Sequence, residues 1–152
     1  MNALLKKIVK WGAILVVAGF VVIQLVPYGR NHTNPPVQSE PNWINPETRA
    51  LAERACFDCH SNESEWPWYS NIAPVSWLVQ HDVEEGRSKL NFSTWGQGRN
   101  EADEAVEVVQ EGEMPMPVFL IMHPEARLSA AEKDALIRGL AATVGGDVHE
   151  DD

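Results

Sequence analysis

The stretch Cys56-Phe57-Asp58-Cys59-His60 contains the two cysteines of this 152-residue chain, in the spacing C-x-x-C-H. On one helical turn, cysteines at i and i+3 and a histidine at i+4 share a face. Two thiols followed directly by an imidazole form the attachment sequence of a c-type haem, and the histidine of such a sequence becomes an axial ligand of the iron. We therefore expect one covalent haem c, bound through Cys56 and Cys59, with His60 as proximal ligand.

Three other uses of the cysteines fit less well. A thioredoxin-like dithiol would follow a strand in a βαβ unit, whereas the residues before Cys56 look helical and the chain has no β-alternating stretch. A zinc site would need a distant fourth ligand, and structural zinc sites usually combine two separated ligand pairs. A disulfide across two residues closes too short a loop to stabilise the fold much.

The first 28 residues predict a membrane anchor. Residues 11–26 carry no charge and one polar side chain, Gln24, and with the apolar residues before them they reach roughly the ~20 residues that cross a bilayer. The basic residues that precede this stretch are Lys6, Lys7 and Lys10. By the positive-inside rule we expect a single-pass protein of the bacterial inner membrane, with a cytoplasmic N-terminus and a periplasmic haem domain. A cleaved signal peptide is the alternative, but no small-x-small site follows.

Acidic side chains dominate the rest of the chain. The sequence carries 22 Asp and Glu against 12 Lys and Arg, for a formal net charge of −10 at pH 7. Such a surface repels the phosphates of nucleic acids, and it suits either solubility or the steering of a basic partner. We therefore expect no nucleic-acid partner.

The fold class expected is all-α, with an N-terminal transmembrane helix and a small cytochrome c-like helical domain around one covalent haem. The predicted segments are a membrane anchor (residues 1–28), a Pro-rich extended spacer (29–44), a c-type haem-binding domain (45–144) and a disordered acidic tail (145–152).

Caps and periodicity predict four helices in the domain. Asn45 caps the first, which runs into Cys56, and the second runs from Pro74 to a stop at Gly86. The third extends from about Asn100 to Glu111. The last opens with a capping box of Ser129 and Glu132 and ends at Gly145 and Gly146.

The second axial position of the iron separates electron transfer from ligand binding or catalysis. Met114, in the rigid turn of residues 113–117, is the preferred ligand, because thioether sulfur is the usual partner of histidine in class I c-type cytochromes. His81, Met116, His123 and water are the alternatives.

Three more side chains are candidates for contacts with the porphyrin. Trp66 and Trp68 follow the attachment motif directly, and aromatic walls are common in apolar ligand pockets. Arg87 is one of few cations in an acidic domain and could pair with a haem propionate. Generic core packing for the tryptophans and a solvated helix end for Arg87 remain open.

Several runs, taken together, carry a family pattern. They are residues 56–63, 66–77, 86–87, 90–93, Trp95, 112–115 and 123–129. This pattern resembles the bacterial haem-binding domain family of small, membrane-anchored, c-type cytochrome-like proteins, and it implies covalent haem and export. The Met-Pro of that family matches Met114-Pro115 and favours Met114 over Met116, while His81 falls in a helix that recurrently contains histidine. Phe119 stands where many members have tyrosine.

The sequence thus predicts a membrane-anchored monohaem c-type cytochrome that carries single electrons on the periplasmic face, between a membrane oxidoreductase and another redox protein, and that is not an enzyme. The alternative is a haem-based sensor or small-ligand-binding protein with an open or displaceable sixth site. A peroxidase-like enzyme would need a distal acid–base group, for which only His81 and His123 are available.

Overall fold

The computed structural model describes residues 2–97 and 101–147. The α-helices are α1 (Ala3–Ile23), α2 (Pro46–Ala55), α3 (Phe57–His60), α4 (Val75–Lys89), α5 (Glu104–Glu111), α6 (Phe119–Met122) and α7 (Ala130–Asp147), with 3₁₀ turns at Trp68–Asn71 and Pro124–Ala126. Over these residues the extended backbone forms no strand, only an isolated bridge between Ser39 and Thr94. The all-α class is confirmed for the described part of the chain.

The transmembrane prediction is wrong. No helix within the described ranges combines the length and apolarity needed to cross a bilayer. The three lysines lie inside α1 rather than before it, so the uncharged stretch up to Ile23 is shorter than the ~20 residues that a span requires. The predicted inner-membrane location, with a cytoplasmic N-terminus and a periplasmic domain, depended on this span and is therefore wrong as well.

The chain divides into two compact units, of which unit 1 comprises residues 1–33 and 66–82. In unit 1 the Gln24 side chain donates to the Ala73 carbonyl at 2.9 Å and accepts from the Ala73 amide at 3.0 Å. This reciprocal pair ties the residue that ends α1 to the segment before α4. None of the residues of α1 itself is buried.

Unit 2 comprises residues 34–65 and 83–152, and its core lies where α2 and α5 pack on α7. The buried apolar residues of this core include Leu51, Ala52, Ala105, Val109, Leu136 and Leu140. Gly139 of α7 permits the close approach of α2 to α7, because a Cβ there would clash with the side chain of buried Thr48 in α2. A side chain larger than hydrogen would force α2 and α7 apart.

The predicted helix starts are confirmed for α2 and α7. The Asn45 side chain accepts from the Thr48 amide at 2.8 Å, and Pro46 is the first residue of α2. At α7 the Ser129 amide donates to the Glu132 carboxylate at 2.7 Å, and the Glu132 amide donates to the Ser129 hydroxyl at 3.3 Å. Both caps satisfy amides that a helix start leaves without a backbone partner.

The predicted ends of α4 at Gly86 and of α7 at Gly145 and Gly146 are wrong, whereas the predicted end of α5 at Glu111 is confirmed. α4 continues through Gly86 to Lys89, and α7 continues past Gly145 and Gly146 to Asp147. Neither α4 nor α7 stops where a glycine made a stop possible, because glycine permits a helix end without enforcing one. Helix α5 begins at Glu104, and its predicted start at Asn100 lies outside the described residues, as do residues 148–152 of the predicted tail.

The part of the predicted spacer that belongs to unit 2 packs on it. The amide of Gln38 donates to the Ser93 carbonyl at 2.9 Å, and the Trp43 ring lies 5.2 Å from that of Phe92. Residues 34–43 therefore contribute to the fold of the unit.

Candidate functional site

The C-x-x-C-H motif lies on one turn at the junction of α2 and α3. The Cys56 amide donates to Ala52 as the last bond of α2, and the Cys56 carbonyl accepts from Cys59 at 3.2 Å and from His60 at 2.9 Å. The two cysteines form no disulfide, and burial, with the nearby Cys59, raises the pKa of the Cys56 thiol to about 12. The motif thus presents the protonated thiol of Cys56, the sulfur of Cys59 and an imidazole from a single turn.

The imidazole of His60 is oriented by two backbone carbonyls of unit 2. Its Nδ1 lies 3.1 Å from the Gly86 oxygen and 3.1 Å from the Leu90 oxygen. Because carbonyls only accept, Nδ1 carries the proton and donates, which leaves the lone pair on Nε2. Burial lowers the pKa of His60 despite these two bonds. The side chain is therefore a neutral imidazole with Nε2 available as a metal ligand.

Gly86 holds this arrangement together through its lack of a side chain. A Cβ at Gly86 would lie 2.5 Å from the Cys59 oxygen and 3.0 Å from the Cys59 carbonyl carbon. The backbone of α4 therefore touches the backbone of the motif, which brings the Gly86 carbonyl within reach of His60. The sequence suggested a helix stop at this glycine, whereas its role in the structure is close packing.

An open cavity of about 170 Å³ adjoins the motif within unit 2. Cys56, His60 and Met114 all line it. The remaining lining is mainly apolar and consists of Ala55, Leu90, Phe92, Ala105, Val108, Val109 and Leu140, with the charged residues Lys89, Glu104 and Glu113. An apolar cleft with a few placed polar groups is the usual form of a cofactor site.

Phe92 is a site residue that sequence reasoning missed. Its ring lies 5.4 Å from Phe57, 5.2 Å from Trp43 and 6.1 Å from Trp95, so the cavity wall continues into an aromatic cluster. The run 90–93 belonged to the family pattern, but nothing in the local spacing of residue types marked Phe92 as a wall.

The loop that follows the motif is fixed by Arg87. Its Nε donates to the Ser61 carbonyl at 2.7 Å, and its Nη2 donates to Asn34 Oδ1 at 2.9 Å and Ser64 Oγ at 3.0 Å. Burial lowers the pKa of this guanidinium, and Cys59 opposes the shift. Arg87 is thus engaged with the protein itself and is not among the residues that line the cavity.

The other predicted neighbours and ligands lie as follows. Trp66 belongs to unit 1, where it stacks on His32 at 4.5 Å, and Trp68 of the same unit is 72% exposed. His81 is an exposed residue of α4, also in unit 1. The contacts of Trp66, Trp68 and His81 with a bound group therefore stay predictions.

Two alternative ligands of unit 2 do not line the cavity. His123 stacks on Phe119 at 4.0 Å and places Nδ1 2.9 Å from Glu125 Oε1. Neither His123 nor Met116 is part of the cavity wall, whereas Met114 is. Of these three residues, Met114 alone lines the cavity together with His60.

Residues 18–142 match the sequence model of a family described as a haem-binding domain. Every residue that lines the cavity falls inside the matched range. No curated protein and no solved structure matches the chain.

Proposed function

Because this chain belongs to the haem-binding domain family, we propose that it is a monohaem c-type cytochrome that carries single electrons. One observation supports this proposal most strongly. Two sulfur-bearing side chains and a neutral imidazole, from Cys56, Met114 and His60, line a single apolar cavity. These residues fit an iron porphyrin, since they combine an apolar surface for the macrocycle with an imidazole and a thioether as iron ligands.

The thiols of Cys56 and Cys59 would form the two thioether bonds to the porphyrin. Spacing at i and i+3 of one turn supports this, and Cys56 lines the cavity with His60, whereas Cys59 is not among the lining residues. The raised pKa of Cys56 keeps that thiol protonated at neutral pH.

His60 and Met114 would act as the axial ligands. The carbonyls of Gly86 and Leu90 hold the imidazole in one tautomer and orientation, which is how hydrogen bonds from outside the ligand set tune a metal site. A thioether ligand raises the reduction potential relative to a second histidine. When bound, the haem supplies one-electron chemistry through its ferric and ferrous states.

With the haem bound, the remaining lining residues would limit the access of water to the iron. Leu90, Phe92, Val109 and Leu140 supply this apolar surface, and it limits the reorganisation that accompanies electron transfer. A redox protein with a basic docking face is the partner that we propose, because the chain has a net charge of −10.

The electronic spectrum of the full chain, produced in cells with a c-type maturation pathway, tests this function. We expect a mass increased by one haem and a low-spin ferric spectrum with the methionine-to-iron charge-transfer band. In Met114→Ala this band disappears, because the only methionine sulfur among the residues lining the cavity is removed. The matched control Met116→Ala keeps the band.

Three results contradict the proposal in different ways. A colourless chain with the mass of the bare peptide excludes covalent haem. A high-spin spectrum that changes readily with carbon monoxide indicates a sensor or ligand-binding protein with an open sixth site. Loss of the band in Met116→Ala alone would reassign the ligand.

A further inference from the structure

Lys89 is the only cation among the described residues that line the cavity beside His60. The other charged lining residues, Glu104 and Glu113, are acids. A haem carries two propionate carboxylates, which seek hydrogen-bond donors of opposite charge and avoid carboxylates. The wall of the cavity therefore offers one favourable place for such an anion.

The backbone holds Lys89 in a defined position. It is the last residue of α4, and its carbonyl accepts from the Glu101 amide at 2.9 Å. Its neighbour Leu90 supplies one of the carbonyls that orient His60. The backbone of Lys89 is thus joined by one peptide bond to Leu90, whose carbonyl orients His60.

The ammonium group of Lys89 can exchange its present partner, Glu85, for another carboxylate. Its ion pair with Glu85 has an N–O distance of 3.6 Å, and both side chains are more than half exposed, at 57% and 51%. Such surface pairs are weak. A carboxylate at the cavity can replace Glu85 at little cost.

Arg87, the cation that the sequence suggested for this role, is committed elsewhere. Its Nε and Nη2 donate to Ser61, Asn34 and Ser64, and it is not part of the cavity wall. From these observations we propose that Lys89 pairs with a carboxylate of the haem bound in this cavity, while Arg87 fixes the loop after the motif. This assignment rests on the proposed function.

The test uses the haem-loaded full chain and its Lys89→Met variant, which keeps the unbranched side chain to within one atom of its length and removes its charge. We expect the propionate-bending band in the resonance Raman spectrum to shift and the midpoint potential to fall, because a cation near the iron has been lost. The pH dependence of the potential moves to higher pH, since a carboxylate without its cation binds a proton more readily.

Two further variants make the result specific. Lys89→Arg restores the charge and returns the band toward its original position. Lys133→Met removes an equal charge from α7, where the ammonium donates to the Gln110 carbonyl, and it leaves the propionate band unchanged. A Lys89→Met protein with an unshifted band overturns the assignment alone. A chain that takes up no haem overturns the proposed function and this assignment with it.

Discussion

At the scale of single residues, the site depends on what a side chain can donate or accept. His60 is a neutral imidazole because its Nδ1–H donates to two carbonyls and burial disfavours its charge. Arg87 shows that a suitable residue type is not sufficient. The sequence suggested this cation for a haem propionate, but its guanidinium donates to the loop of Ser61 and Ser64. Residue type alone identifies what a group can do, and its partners determine what it does.

Glu40 allows a prediction of pH dependence at this scale. The Arg49 guanidinium donates to both oxygens of Glu40 at 2.8 and 2.9 Å, and this bonding lowers the pKa of that carboxyl below its ordinary 4.5. A lowered pKa in the folded state stabilises the fold fully above 4.5, and the stabilisation is lost as the pH falls through the folded value. Glu40→Gln should therefore be less stable than the parent at pH 7.

Urea unfolding at pH 7 and at steps down to about pH 3 measures this contribution. The difference in free energy of unfolding between parent and Glu40→Gln should shrink over the acid part of that range. The control Glu111→Gln, at the exposed end of α5, should not reproduce the trend. A difference that is constant with pH would show that the ion pair is not its source.

At the scale of elements, α4 connects features that are far apart in the sequence. Its C-terminal part carries Gly86, Arg87 and Lys89 past the motif, and the next residue, Leu90, completes the carbonyl pair around His60. A helix that stopped at Gly86 would place none of these groups reliably. The continuation of α4 to Lys89 is therefore part of the site.

Gly86→Ala tests this contact. The added Cβ would lie 2.5 Å from the Cys59 carbonyl oxygen, and backbone atoms cannot move aside as a flexible side chain can, so we expect a loss of about 1–3 kcal/mol of stability. Thermal and urea unfolding of the haem-loaded chain give the value. The matched control is Gly12→Ala in α1, where a Cβ meets nothing within 4 Å, and no loss is expected there. Equal stability of Gly86→Ala and the parent would contradict the close packing.

At the scale of the whole molecule, charge governs encounters. The net charge of −10 should attract cationic reagents and repel anionic ones over a distance set by ionic strength, from about 30 Å at 0.01 M to about 3 Å at 1 M. Since two acids, Glu104 and Glu113, and one cation, Lys89, line the cavity, the charge at the cavity is also net negative. Electron exchange should thus depend on salt in opposite directions for reagents of opposite charge.

Stopped-flow oxidation and reduction of the haem-loaded chain by two small inorganic complexes measures this effect. The rate constant with a cationic hexaammine complex should fall as salt rises, and the rate constant with an anionic hexacyanide complex should rise. Each reagent is the control for the other. Rates that respond to salt in the same direction would exclude steering by the net charge.

The sequence alone predicted the cofactor class, the helical fold and the starts of α2 and α7. The signals for the cofactor and the helix starts are C-x-x-C-H, Asn45 and the Ser129–Glu132 box, and each of them acts within one turn of chain. The predicted span is wrong because Lys6, Lys7 and Lys10 lie inside α1 and leave an uncharged stretch too short to cross a bilayer.

Only the tertiary structure decided which groups surround the motif. The carbonyls that orient His60 lie 26 and 30 residues away from it, and Met114, Phe92 and Lys89 meet at one cavity through the packing of unit 2. Contacts of this kind depend on how every helix of the unit is placed, and no local pattern encodes that placement.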